Sequence, residues 1–338
     1  MGQHIFVPHN ESVTTPLFNI SSMKIISSGW VLTGLMLVSF ASLQAQMPTD
    51  AIMMAKGQLC VAATYTNDTW DEYWEGTLKR TNGNIGTLTR QTVSPMFALG
   101  LNERVNVMAA LPWVSTKSSG GQLKGVSGFQ DFGVWVKATA IQGKEDGSGF
   151  TFHPVVGVSF PASNYLEDYG PYSLGLGAAN LSLAGVLQYK LAKGPYVRGY
   201  AGYNIRGNAK IERDYYYTTH GVYSDEVDMP NAVTYAATLG TWLFNNNLQI
   251  EATYDGLNSL DGFDIRKQTE GFPANEMDFT RVGGFAHYHI PAIPGLGIIA
   301  QYTTVLTGRN VGQSTAITGG ISYIFGLWNK EQAPKTIN

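Results

Sequence analysis

Charged side chains are scarce in this chain of 338 residues, at 14%, where soluble domains carry roughly 25%. That shortage speaks against a densely charged soluble surface. With 22 basic and 25 acidic residues the net charge is −3, so no cationic face exists for nucleic acid and no such partner is expected. Cysteine occurs once, at Cys60, which excludes an intrachain disulfide and a cysteine metal cluster. After residue 46 no apolar run approaches the ~18 residues of a membrane-spanning helix, and mean hydropathy is −0.07. A phosphate-binding loop, a dinucleotide fingerprint and a Gly-x-Ser-x-Gly turn are all missing, so no cofactor is indicated.

What the chain does have is glycine, 39 residues, with 18 Tyr, 15 Phe and 7 Trp. Few charges, many aromatics and no spanning helix together point to a β-barrel in a bilayer. From residue 57 onward twelve stretches read as strands: 57–66, 86–101, 104–115, 129–141, 150–161, 176–190, 195–206, 231–244, 248–257, 278–290, 296–307 and 314–325. No stretch carries the periodicity of a convincing amphipathic helix. The connections at Asn102-Glu103, 142–149, 191–194, 245–247 and 291–295 read as short turns. Those at 67–85, 116–128, 162–175, 207–230, 258–277 and 308–313 read as loops. Turns and loops alternate, which is the outer-membrane arrangement of brief periplasmic turns and extended outer loops. An even strand count returns both termini to the periplasmic side. The expected fold is all-β: a transmembrane, antiparallel, up-and-down β-barrel of about 12 strands.

Individual strands are two-faced. In the last one, Ile317, Gly319, Ile321, Tyr323 and Phe325 oppose Ala316, Thr318, Gly320, Ser322 and Ile324. Leu248, Ile250, Ala252 and Tyr254 oppose Gln249, Glu251, Thr253 and Asp255. A soluble sandwich could present such a polar face to water, so one strand decides little and the set decides more. Tyr65, Trp113, Tyr189, Tyr196, Tyr203, Trp242, Tyr288, Tyr302, Tyr323 and Trp328 gather near strand ends, where amphipathic rings sit at the headgroups. Pro95 and Pro112 each remove a ladder donor and mark bends, bulges or strand ends.

The N-terminal part reads as export machinery. Met23-Lys24 precedes an apolar run over 25–40 and then Ala41-Ser42-Leu43-Gln44-Ala45, the order of a secretory signal. The expected division is an upstream mis-called start (1–22), a signal peptide (23–45), an N-terminal periplasmic segment (46–56), the barrel (57–325) and a C-terminal periplasmic tail (326–338). Cleavage after Ala45 leaves Gln46 first.

Short motifs recur in a telling order. Ser94-Pro95 leads through Gly100-Leu101-Asn102-Glu103-Arg104-Val105 to Ala110-Leu111-Pro112-Trp113 and Gly128-Phe129-Gln130-Asp131-Phe132. Val156-Gly157-Val158-Ser159-Phe160-Pro161, Leu174-Gly175-Leu176-Gly177 and Gly194-Pro195 follow. Over about residues 94–207 the chain resembles a Gram-negative outer-membrane transporter family associated with the phenol meta-degradation pathway. Members usually have glycine where Gln130 stands. The resemblance implies an outer-membrane barrel, similar in concept to channels for fatty acids and aromatic hydrocarbons, and names no substrate.

By strand parity the interior would hold Arg90, Asp131, Lys137, Arg198, Gln249, Glu251, Asp255, Arg281, His287 and Gln301, with charges pairing because buried charges must. His287 and His289 share a face and form either a metal pair or part of a polar network. Outer loops carry Trp70, Tyr73, Trp74, Tyr215, Tyr216 and Tyr217, which could gather an apolar solute, pack loops together or contact lipopolysaccharide. A membrane enzyme would need Ser159 or Ser182 beside a histidine, and no catalytic residue is assigned. The function expected is passive passage of a small apolar or aromatic solute through the outer membrane of a Gram-negative cell. The alternative is a structural or adhesive barrel with a closed lumen. Expected partners are outer-membrane lipid, lipopolysaccharide and, through the last strand ending at Phe325, the barrel-assembly machinery.

Overall fold

The computed structural model describes residues 46–122, 124–144, 147–192, 194–264 and 275–327. The expected upstream segment, signal peptide and most of the C-terminal tail, including Trp328, lie outside the described residues. Twelve antiparallel strands form the wall: β1 (Gln58–Trp70), β2 (Leu88–Asn102), β3 (Val105–Ala110 and Trp113–Ser118) and β4 (Ser127–Phe129 and Asp131–Ala138). Then come β5 (Gly149–Pro161), β6 (Asn180–Lys190), β7 (Tyr196–Arg206) and β8 (Ala232–Leu243). The last four are β9 (Leu248–Ser259), β10 (Asp278–His289), β11 (Leu296–Arg309) and β12 (Thr315–Gly326).

A backbone surrounded by hydrocarbon must bond every N–H and C=O within the protein, and a sheet does so only by closing. β1 provides the closure. It pairs with β12 from Gln58↔Gly326 to Thr69↔Thr315 and with β2 from Leu59↔Leu99 to Trp70↔Leu88. Every other strand pairs with its neighbours in sequence. Both termini of the wall therefore lie at the end with the short turns, and the longer connections lie at the other.

Register decides which face meets which environment, because side chains alternate. Cys60, Ala98, Asn106, Lys137, Val155, Val186, Arg198, Glu251, His287 and Ser322 are buried, while Leu239, Ile317 and Ile321 are 67%, 63% and 59% exposed. The exposed set, with Val136, Val156, Leu183, Leu187, Val197 and Ile250, forms an apolar outer belt. Such a belt is the surface a bilayer covers and water disfavours. Tyr65, Trp113, Tyr189, Tyr203, Tyr288, Tyr302 and Tyr323 face outward, but Tyr196 and Trp242 do not. Both are buried, at 5% and 8% exposure, because pairing places them on the inner face beside Glu251 and His289.

Pro112 interrupts β3, and β4 is interrupted beside it at Gln130. The break is bridged by Gln130 N–H to the Pro112 carbonyl at 2.9 Å and Ala162 N–H to the Gln130 carbonyl at 2.8 Å. Positive φ among described non-glycine residues is confined to Phe244, Asn245, Asn246 and Asn310, so glutamine at 130 is unstrained where the resembling family has glycine. Pro95 faces that break: its pairing with Ala63 of β1 is kept, while the β2–β3 ladder stops at Met96↔Ala110 and resumes at Val93↔Trp113. Several outer loops are more ordered than bare connections. They hold hairpins at Glu72–Glu75 with Leu78–Thr81, Asn208–Lys210 with Glu226–Asp228, and Tyr216–Tyr217 with Gly221–Val222.

The outer belt makes a directional prediction. Ile321, outward near the middle of β12, tolerates alanine, whereas Ile321→Arg should cost about 2–4 kcal/mol. Urea unfolding of the barrel in lipid vesicles reads the difference.

Candidate functional site

The interior is the only enclosed polar space the wall creates among the described residues, and two segments of chain enter it. From the turn end, residues 46–57 run inside the wall. The stretch expected as a periplasmic segment is thus packed against the inner face of the strands. The reason is local: Asp50 folds its own chain, its carboxylate accepting from Met47 N–H at 2.5 Å and Ile52 N–H at 2.9 Å. The resulting turn presents carbonyls to Lys137. The ammonium of Lys137 donates to Asp50 Oδ1 at 2.8 Å and to the carbonyls of Met47 (2.6 Å), Asp50 (2.8 Å) and Ile52 (3.3 Å). Lys137 is fully buried. Beyond that turn Met54 enters an apolar group of Cys60, Ala98, Met108 and Ile324, with Ile52 and Trp135 packed against it. Gly100 makes the approach possible, since a β-carbon there would come within 2.1 Å of the Ala55 carbonyl.

From the loop end, the 162–179 connection folds inward. Tyr172 and Leu174 are buried at 0% and 2% exposure. Arg90 donates to the carbonyls of Ser173 at 3.2 Å and Leu174 at 2.6 Å. Thr116 donates to the Tyr172 carbonyl at 3.0 Å. Tyr165 donates to Asp131 at 2.5 Å and accepts from Gly177 N–H at 3.0 Å. Burial, reinforced by the Asp131 carboxylate, pushes the Tyr165 hydroxyl well above the ordinary phenol range, so it keeps its proton and stays a donor.

Two further inner cations are answered by carboxylates along the wall, whereas among the described residues the Arg206 side chain reaches only the Pro230 carbonyl, at 3.4 Å. Arg198 on β7 grips Glu251 on β9 with both guanidinium nitrogens, at 2.6 and 2.8 Å. Tyr196 and Gln249 complete that carboxylate's shell at 2.5 and 2.7 Å. Arg281 meets Asp255 on the adjacent strand at 2.8 Å. Gln301 is half-buried between Phe285 and Thr318. His287 lies 2.9 Å from the Ser322 hydroxyl and its ring centre is 4.1 Å from that of His289. Among the described residues no group of three His, Cys, Asp or Glu side chains could hold a metal ion. Ser322–His287 is a serine–histidine contact on the inner face, not the lipid-facing rim. Among the described residues Nδ1 of His287 has no hydrogen-bond partner, so none of them orients the ring as a triad's third member does.

The loop aromatics mostly hold loops to one another. Trp70 meets Tyr73 at 6.1 Å, and Tyr216 stacks on Phe263 at 6.0 Å. Trp74 is buried against the backbone of Gly308. Tyr215 is exposed and contacts the more exposed Tyr223, and Tyr217 belongs to the hairpin with Gly221.

No protein-family model matches the chain, and no curated protein does. Solved structures do. An outer membrane channel from Pseudomonas putida F1 superposes with a TM-score of 0.65 at 13% identity, covering 83% of this chain and 100% of that one. The NanC porin gives 0.46 at 10% identity, covering 78% and 98%. The translocator domain of the autotransporter NalP from Neisseria meningitidis gives 0.44 at 13%, covering 80% and 90%. Only the first is close enough to carry an argument, and what it carries is the fold. The chain has the all-β, twelve-stranded, closed architecture of an outer-membrane β-barrel.

A buried pair broken on one side leaves an uncompensated charge. Glu251→Ala should therefore lower unfolding stability by about 3–5 kcal/mol, and the double change Arg198→Met with Glu251→Leu should restore most of it. Both are read by urea titration of the refolded barrel.

Proposed function

We propose that the chain is an outer-membrane channel for passive passage of a small, apolar or aromatic solute. The observation that carries this reading is what fills the interior. In eight-stranded barrels the wall's own side chains suffice to fill the space, and twelve strands leave more. Here the added space is taken by residues 46–57 and by the 162–179 loop, neither of which supplies a strand to the wall. Met96, Tyr200 and Phe285 are inward and only half-buried, so apolar and aromatic surface faces the interior. Selectivity in such a passage comes from width and lining, not from chemistry.

A closed structural barrel is the competing reading, favoured by ion pairs that cross the interior. Among the described pairs, Arg198–Glu251 and Arg281–Asp255 run along the wall between strands at most two apart, and Lys137–Asp50 joins the wall to the inserted segment, which supplies no strand; this supports a space that can be cleared. The resemblance to transporters of the phenol meta-degradation group fits a channel and names no substrate; the apolar and aromatic lining carries the cargo class. The inner lining Arg90, Asp131, Lys137, Arg198, Gln249, Glu251, Asp255, Arg281, His287 and Gln301 belongs to the same proposal. So do an outer-membrane location reached through the 23–45 signal, lipopolysaccharide at the outer loops, and engagement of the assembly machinery by the strand that ends on the outward Phe325.

Planar-bilayer recording tests the reading. The full mature chain should show small or intermittent conductance, and deletion of residues 46–56 should enlarge it several-fold. Absence of conductance from both would overturn the proposal in favour of the closed barrel.

A further inference from the structure

The inner wall balances its cations unevenly. Arg198 has Glu251 and Arg281 has Asp255, both wall residues, and Arg90 lies in the field of Asp68 and Asp131. Lys137 differs. Among the described residues, every acceptor that its ammonium finds belongs to residues 47–52, and the sole carboxylate within salt-bridge distance is Asp50. When that segment leaves, the ammonium loses its carboxylate, and a solute body that replaces the segment and keeps water off leaves an unpaired buried charge, which is strongly unfavourable. A solute that takes the segment's place on this wall is therefore favoured when it brings an anion.

The surroundings say what else it must bring. Next to the Asp50–Lys137 contact the wall offers Cys60, Ala98, Met108, Ile324 and Trp135, now covered by Ile52 and Met54. The inserted segment is thus one carboxylate followed by an apolar body, held by one cation and an apolar pocket. We propose that this cradle is the channel's solute site and that its ligand is a small monocarboxylate with an apolar or aromatic body, which takes the place of Asp50 on Lys137. The proposal rests on the channel reading for its role in transport and narrows the cargo from apolar to amphipathic acid. A single ammonium favours one negative charge over two. An alcohol of the same shape fits the pocket but leaves Lys137 unanswered.

Displacement is visible without mutation, because the Met47 and Ile52 amides are bonded to the Asp50 carboxylate and such bonds protect amides from exchange. Hydrogen–deuterium exchange of the 46–58 peptide is followed in the refolded mature barrel with benzoate, hexanoate, benzyl alcohol, 1-hexanol or hexylamine. Both carboxylates should speed exchange saturably, by about tenfold at occupancies that overcome the segment, and the alcohols and the amine should not. Lys137→Arg should keep the discrimination, while Lys137→Gln should abolish it. Equal effects of acid and alcohol, or no effect of the acids, overturn the proposal. Carboxylate-driven displacement in a barrel that conducts neither with nor without residues 46–56 leaves the site standing and removes only the transport reading.

Discussion

The structure depends on the double pairing of β1. Its residues 58–70 hydrogen-bond to β12 on one side and β2 on the other, so the wall has no edge. In hydrocarbon an open edge leaves several unsatisfied backbone groups, each costly. Closure also locks the register, and a slip of one residue would turn every lipid-facing side chain inward. The outward exposure of Ile317 and Ile321 and the burial of Ser322 and Ile324 are two sides of that one arrangement.

Once the wall is closed, its inner face has to be made tolerable for polar groups. Short range does most of this. Arg198 and Glu251 neutralise one another with Tyr196 and Gln249 as company, and Arg281 neutralises Asp255. Lys137 takes its carboxylate from Asp50, in a segment that supplies no strand to the wall. Under the channel proposal, that division between charges balanced within the wall and one balanced by an inserted piece marks the piece that has to move.

Much of the fold was legible in the sequence because alternation is local. Each two-residue repeat states its own orientation, and the observed strands fall mostly within a few residues of the periodic stretches. What local reading misses is what distant chain does inside. Arg90 reaches carbonyls more than 80 positions away, and Lys137 reaches 87 positions back to Asp50. Residues 46–56 carry no strand signal and so read only as an N-terminal periplasmic segment. Tyr196 and Trp242 were expected among the headgroups because aromatic type and strand-end position suggest it, yet parity already set them on the inner face with Arg198 and Gln249. Glycines were the underused signal. Gly100 admits the Ala55 carbonyl, and Gly133 and Gly157 make room for the Trp135 ring, so these glycines mark where something presses against the inner wall.

The central claim, a closed wall with lipid on one face and a polar interior on the other, is tested most directly by a spin-label scan along β12 in bilayers. Labels at 317, 319, 321 and 323 should collide freely with lipid-dissolved oxygen and poorly with a water-soluble nickel reagent. Labels at 318, 320 and 322 should show low oxygen access, giving a period of two along the strand. A profile without that alternation, or one in which the aqueous reagent reaches both faces, would contradict the account.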